Sequence, residues 1–249
     1  MRYVLLGNNR LAARVLAWLV ERGDRPVGIV VHPRDHARHR EELEHLAALP
    51  AEDVLEGPGL EAVGASWLGE RRAELLVSVA FSFIVRPDAL AAVRGAAINL
   101  HTSFLPYNRG SYPNVWSIVD GTPAGATLHW MDEGIDTGDI IAQRQVAVAP
   151  SDTGETLYQK QEDAAFAIFT ETWPAILTGS APRTPQPVAG TVHRASDVDT
   201  IDAIRPDDVI RAGALIDILR ARTFPPYRGA YLDLGHRRVY LRLSLEEER

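Results

Sequence analysis

The chain has no cysteine. That absence excludes disulfides, thiol nucleophiles and thiolate-bound zinc. It also has no apolar run near the roughly 20 residues that a membrane-spanning helix needs. The apolar start Tyr3 to Leu6 is interrupted by Gly7-Asn8-Asn9-Arg10 before a secretory core can form, so a cytoplasmic protein with no membrane partner is expected. Positive charge is not in excess: 26 Lys and Arg face 33 Asp and Glu, for a formal charge of −7. Phosphate binding draws on clustered cations, so a nucleic-acid partner is not expected. The Gly-x-Gly-x-x-Gly of dinucleotide-binding proteins is missing from the first turn, which argues against NAD.

What the chain does have is enough apolar residues, 46% of 249, to bury one core and carry an appendage. Tyr3-Val4-Leu5-Leu6 reads as a buried strand. Leu11, Val15, Trp18 and Leu19 then recur at helical spacing, giving a first βα unit. Further strands are expected at Val27 to Val31, near Val54, at Leu75 to Ala80 and at Ala97 to Leu100, each after a helix-compatible segment. This alternation predicts an α/β fold with a Rossmann-like, doubly wound, mainly parallel sheet, whose ligands bind at the carboxyl ends of the strands. Ala126 to Met131 and Ile140 to Val148 add two more strands, followed by a helix from Thr153 or Thr156 to about Ile176, with Pro174 expected to kink or end it.

Small residues and prolines between Gly179 and Pro187 read as a linker, which places a core domain at 1–179 and a carboxyl-terminal region at 180–249. That region should hold a small appendage: a helix after Pro206 through Val209, Ala212, Leu215, Ile216 and Leu219, then a β-hairpin turning at Gly235-His236. His32, His36 and His39 have helix-like spacing but lie among Arg34, Arg38 and Arg40, the pattern of a solvated helix face, so no metal is expected.

The chemistry-bearing residues are concentrated in one stretch. Asn99 and His101 lie two apart on a strand, so their side chains leave the same face, and Asp136 follows in the Gly-bounded loop Asp132-Glu133-Gly134-Ile135-Asp136-Thr137-Gly138. An amide donor, an imidazole that changes charge near neutral pH and a carboxylate meet the demands of acyl transfer to an amine. The carbonyl oxygen becomes anionic, the nucleophile loses a proton and the leaving nitrogen gains one. Which of His101 and Asp136 takes the first proton is left open by the sequence.

Taken with Ser103-Phe104-Leu105-Pro106, the Asn-x-His pair and the aspartate loop resemble the folate-dependent formyltransferases, and the collinear pattern runs from the first strand to about Val146. Within that family, Leu105 to Gly110 with Pro113-Asn114-Val115-Trp116 is most similar to the branch that formylates nucleotide-linked amino sugars. The resemblance implies Asn99, His101 and Asp136 as catalytic residues and 10-formyltetrahydrofolate as co-substrate. It places the folate beside Phe81, Ser82, Phe83, Ile84 and Val85 and against the loop backbone at Asp132, Glu133, Gly134 and Ile135. Asn8, Asn9 and Arg10 at the first turn, with Tyr107, Asn108 and Arg109, are candidates for substrate contacts. Phe224, Pro226 and Tyr227 resemble an aromatic turn found after the core in this branch, where a following hairpin is associated with a homodimer.

The reaction expected from the resemblance is transfer of formyl to a 3- or 4-amino-dideoxy sugar carried on a nucleotide, most plausibly dTDP. Other acceptors are an amino acid, a siderophore precursor or methionyl-tRNA, the last disfavoured by the want of a long basic carboxyl-terminal domain. Hydrolysis of the formyl donor ranks lower, because such hydrolases carry an amino-terminal regulatory domain and here the first βα unit begins at Met1. A non-catalytic binding module is opposed by the intact Asn99, His101 and Asp136.

Overall fold

The structure, a computed structural model, describes residues 1–187 and 189–248. Its first half alternates strand and helix: β1 (Tyr3–Gly7), α1 (Arg10–Glu21), β2 (Gly28–Val31), α2 (Arg40–Ala47), β3 (Val54–Glu56), α3 (Gly57–Glu70), β4 (Leu75–Val79), α4 (Pro87–Ala92) and β5 (Ala97–His101). There follow β6 (Arg109–Gly110), α5 (Pro113–Val119), β7 (Ala124–Trp130), β8 (Ile140–Val146) and the long α6 (Gly154–Leu177). The chain continues through β9 (Val192–His193), α7 (Asp199–Asp202), β10 (Ala203–Ile204), α8 (Ala212–Ala221), β11 (Tyr231–Asp233) and β12 (Arg238–Tyr240).

Seven strands form one sheet in the order β3-β2-β1-β4-β5-β7-β8. The five from β3 to β5 are parallel, and β7 pairs antiparallel with β5. The order reverses between β1 and β4, as in a doubly wound fold, where neighbouring βα turns leave a crevice at the carboxyl ends. The residues fall into two compact units. One comprises Met1–His101, Thr127–Ala142 and Ala165–Gln186; the other comprises Thr102–Ala126, Gln143–Ala164 and the described residues from Pro187 on. The two units interleave along the chain, and α6, β7 and β8 each run from one into the other.

In the first unit, Val4 and Leu6 of β1, Val30 of β2 and Leu76 of β4 pack with Leu60, Trp67 and Leu68 of α3. Continuous apolar strands are what a sheet covered on both faces demands. Asn9 starts α1 by accepting the Ala12 N–H on its side-chain oxygen at 3.2 Å, and Leu11, Val15, Leu16 and Leu19 form the buried stripe of that helix. In the second unit, Val115, Trp116 and Ile118 of α5 pack with Leu157, Val198 and Ala221. A small sheet, β10-β11-β12, contains the hairpin expected around Gly235-His236.

Two expectations differ in detail. α6 runs through Pro174 to Leu177, because a proline in the last turn removes one intrahelical bond and leaves the rest of the ladder in place. α8 begins at Ala212, and Val209, counted above as part of its apolar stripe, lies outside it and fully exposed.

Trp173 of α6 shows how tightly the first unit is closed. Its side chain is fully buried, meets Tyr3 edge to face at 5.6 Å, stacks on Phe169 at 5.3 Å and donates its indole N–H to Asp24 at 3.0 Å. Trp173→Ala should cost about 3–5 kcal/mol. Urea unfolding followed by circular dichroism checks this: the midpoint should fall at unchanged slope.

Candidate functional site

Asn99 and His101 stand on β5, and the register sets Asn99 opposite Ser78 of β4 on one side and His129 of β7 on the other. Because Ile98 faces Trp130, the loop after β7 leaves the sheet near the amino end of β5. It must therefore double back to bring Asp136 to Asn99 and His101, and it does so. The Asn99 Nδ2 group donates to Asp136 Oδ1 at 3.1 Å, and His101 Nε2 lies 3.5 Å from Asp136 Oδ2. His101 and Asp136 are each 12% exposed at the side chain, recessed and still open to a ligand.

The loop builds its own frame. Asp132 Oδ1 accepts from the Gly134 N–H at 3.0 Å and from the Thr137 hydroxyl at 2.7 Å, an Asx-turn arrangement. Gly138 closes the loop where only glycine fits: a Cβ there would lie 1.9 Å from the Trp130 carbonyl oxygen. Asp136 itself takes a left-handed backbone with φ 53°, a conformation that Asp and Asn enter more readily than other non-glycine residues.

Sequence reasoning missed a fourth group. His129 is 2% exposed, and its Nδ1 faces the Trp130 carbonyl at 2.7 Å while its Nε2 faces Asn99 Nδ2 at 3.2 Å and Asp136 Oδ1 at 3.5 Å. A carbonyl only accepts, so Nδ1 carries the proton. With Nδ1 donating, Nε2 faces the Asn99 amide and is placed to accept its second hydrogen. That donation fixes which way the Asn99 amide faces. The available signal was positional: a histidine on the strand leading into the aspartate loop, in antiparallel register with Asn99.

Phe81 to Val85 follow β4. Val85 is buried in the core, Phe81 and Phe83 are half-buried, and Ile84 is 68% exposed. On the aspartate loop Ile135 is 57% exposed, while Asp132, Glu133 and Gly134 are also at the surface.

His32 corrects the expectation of a solvated histidine face. Residues 32–39 are not helical, and α2 starts at Arg40. His36 and His39 are exposed, but His32 is buried at the end of β2, edge-on to Phe81 at 5.4 Å and to Phe83 at 4.9 Å. Its Nε2 accepts the Ser82 N–H at 3.3 Å. No cluster suited to a metal ion is found among the described residues.

The first-turn candidates are drawn into the frame. Asn9 caps α1, and Asn8 Oδ1 accepts from the Arg38 N–H at 2.8 Å, while Arg10 is exposed at the helix start. In the second unit Tyr107 and Arg109 are half-buried, but Asn108 is buried completely. The Asn108 amide donates to Ser117 at 3.0 Å and Thr122 at 2.7 Å, and its oxygen accepts from the Thr191 hydroxyl at 3.0 Å. These bonds make Asn108 a tie that sets the loop carrying its neighbours.

An amide, two imidazoles and a carboxylate meet at β5 of the mainly parallel sheet, groups of the kind that acyl transfer to an amine requires. Comparison with known proteins agrees. The formyl transferase family profile matches residues 60–172, and that of the N-formyltransferase dimerization C-terminal domain matches residues 197–247. The methionyl-tRNA formyltransferase of Myxococcus xanthus is 31% identical over 94% of this chain and 76% of its own length. A dTDP-4-amino-4,6-dideoxyglucose formyltransferase of Mycobacterium bovis is 33% identical over 61% of this chain, and the match spans 65% of that relative. Among solved structures, a 4-N formyltransferase from Francisella tularensis superposes with a TM-score of 0.83 at 26% identity, covering 99% of this chain and 98% of that one. A formyltransferase from Anoxybacillus kamchatkensis, solved with UDP-4,6-dideoxy-4-formamido-L-AltNAc and tetrahydrofolate, gives 0.60 at 28% identity over 80% of this chain and 89% of that one. The chain belongs to the formyltransferase family.

His32 titrates in a direction that can be measured. Burial, with a smaller contribution from the nearby His36, lowers its pKa from 6.5 to about 4. The unfolded chain therefore binds a proton that the folded state refuses, so stability is full above about pH 6.5 and falls as pH drops from there towards 4. His32→Gln should flatten that part of the stability curve in urea melts at stepped pH. In NMR the His32 ring of the parent protein should stay neutral at pH 5.5.

Proposed function

We propose that the protein transfers the formyl group of 10-formyltetrahydrofolate to the amine of a nucleotide-linked, dTDP-type amino-dideoxy sugar. The convergence of Asn99 and His101 on the Asp136 carboxylate, at 3.1 and 3.5 Å, carries this reading. The exposed Ile84 and Ile135 suit it, since a flat pterin takes apolar walls beside backbone polar groups. The sugar branch is supported by the likeness to the Mycobacterium dTDP-4-amino-4,6-dideoxyglucose formyltransferase and to the Anoxybacillus enzyme solved with a UDP-linked formamido sugar, and by the charge of −7.

In this reading the amine nitrogen attacks the formyl carbon and the carbonyl oxygen becomes anionic. His101 and Asp136 receive the proton lost by the amine and return one to the departing folate nitrogen. Both hydrogens of the Asn99 amide are engaged beforehand, one by Asp136 and one by His129. Protonation of Asp136 weakens its hold on the first, which is then shared with the oxyanion while the amide keeps its orientation. Donors of this kind are worth about 3–4 kcal/mol of transition-state stabilisation.

The likeness of the Myxococcus relative along almost the whole chain favours one further acceptor, methionyl-tRNA. In either case the protein works in the cytoplasm as a homodimer. Its β12 is a sheet edge exposing Val239 and Tyr240, and it falls inside the segment matched by the dimerization profile.

The test is turnover of 10-formyltetrahydrofolate with a panel of dTDP- and UDP-linked 3-amino and 4-amino sugars and with methionyl-tRNA, following tetrahydrofolate release and acceptor mass together. One formyl group gained by a sugar is the expected result; gain by the tRNA alone rejects the sugar acceptor. His101→Ala should lower turnover by about 10²–10⁴-fold with folding intact, and undiminished turnover would remove the proposed mechanism.

A further inference from the structure

The stretch that reads in the sequence as a proline-rich linker is stitched along the aspartate loop. Thr184 and Ile140 form an antiparallel bridge, exchanging backbone hydrogen bonds at 2.8 and 3.0 Å. The Trp130 indole N–H donates to the Pro182 carbonyl at 2.9 Å, and the Arg183 guanidinium lies 4.0 Å above the same ring. At the end of this strap the Gln186 Nε2 group donates to the carbonyl of Asp136 at 2.8 Å and to that of Gly138 at 2.7 Å.

The first of these bonds is made to the backbone of Asp136, whose carboxylate reaches Asn99 and His101, and the second to the residue two further on. Asp136 is held at a positive φ, and its loop must reverse direction to return to β5. A left-handed backbone on a surface loop persists only where its surroundings determine it. The Asp132 turn ties the start of the loop through Gly134 and Thr137, and Gly138 closes its end. Gln186 bonds the Asp136 backbone, with one amide hydrogen for each of two carbonyls, so its orientation is as determined as the loop it holds.

We infer that Gln186 is a positioning residue for formyl transfer, clamping the Asp136 peptide from a strap that closes over the loop. It touches no reacting atom. It acts by keeping the Asp136 carboxylate at its distance from His101, the kind of outer support whose loss costs about 10–100-fold in activity at comparable sites. The inference rests on the reading above in which Asp136 handles a proton.

Three variants test it: Gln186→Met, which keeps most of the volume and removes both donors; Gln186→Glu, which sets a carboxylate against two carbonyls; and Asp136→Asn. With 10-formyltetrahydrofolate and dTDP-4-amino-4,6-dideoxyglucose, both Gln186 variants should lower kcat by about 10–100-fold. Both KM values should stay within about twofold, because the clamp holds a proton-handling group and no part of either substrate. Hydrogen–deuterium exchange without substrates should quicken in the peptide covering 131–139 and nowhere in β1 or β4. Unchanged loop exchange overturns the clamp, as does an unchanged kcat in folded variants beside an inactive Asp136→Asn. If Asp136→Asn keeps full turnover, or the parent protein does not turn over this sugar, the functional reading or its acceptor fails instead, and loop exchange alone decides the clamp. Should Gln186→Glu fail to fold, Gln186→Met carries the comparison.

Discussion

Everything at the candidate site depends on one carboxylate being returned to the sheet. β7 runs antiparallel to β5, so the chain beyond Trp130 moves away from the carboxyl ends of the parallel strands, where a doubly wound fold collects its ligands. Asp136 comes back only because the loop reverses, through a turn tied by Asp132, a left-handed step at Asp136 and a closure at Gly138 that admits no side chain. Two carboxylate oxygens are thereby brought in among polar groups of the sheet. The Asn99 amide meets one and His101 lies near the other. A burial that would otherwise be costly becomes tolerable once each oxygen has a polar group in reach.

The same electrostatic logic explains why both buried histidines sit beside donors. His129 gives its Nδ1 proton to a backbone carbonyl, which leaves Nε2 as an acceptor for Asn99. His32 accepts the Ser82 N–H, and burial keeps it uncharged. Both rings do directional work: His129 orients the amide of Asn99, and His32 seats the Phe81 to Phe83 turn, whose Phe83 ring occupies the space beside Gly57.

How much of this could be read from the sequence depends on the range of the contacts. Strands β1, β2, β4 and β5 were legible because each is a short apolar run next to a turn residue, and the facing of Asn99 and His101 follows from the two-residue period of a strand. His129 escaped because its role needs a register between β5 and β7 that pattern alone does not supply. His32 was misread because three histidines at helical spacing mimic a helix face, whereas burial beside two phenylalanines is decided by β2 and β4 being separated only by β1. The strap at 182–186 looked like a linker for the sound reason that prolines and small residues avoid regular structure. Its bonds to the loop lie more than 40 residues away in sequence, beyond any local signal.

The division of labour along the chain bears on acceptor choice. The groups suited to chemistry all lie in the first unit, on β5, β7 and the loop that follows, and they make sense for any amine that receives a formyl group. Nothing in an amide, an imidazole and a carboxylate distinguishes a sugar from an aminoacyl ester. Discrimination has to come from groups that contact the remainder of the acceptor, and those are placed by irregular segments. Asn108 illustrates the cost of such placement. The segment is set by the short pairing of β6 with β9 and by side-chain hydrogen bonds of Asn108 to Ser117, Thr122 and Thr191, so that Tyr107 and Arg109 on either side stand on a fixed base. Under the proposed function, catalytic geometry would come from the sheet together with the returning Asp136 loop, and acceptor recognition from loops that buried polar ties make rigid.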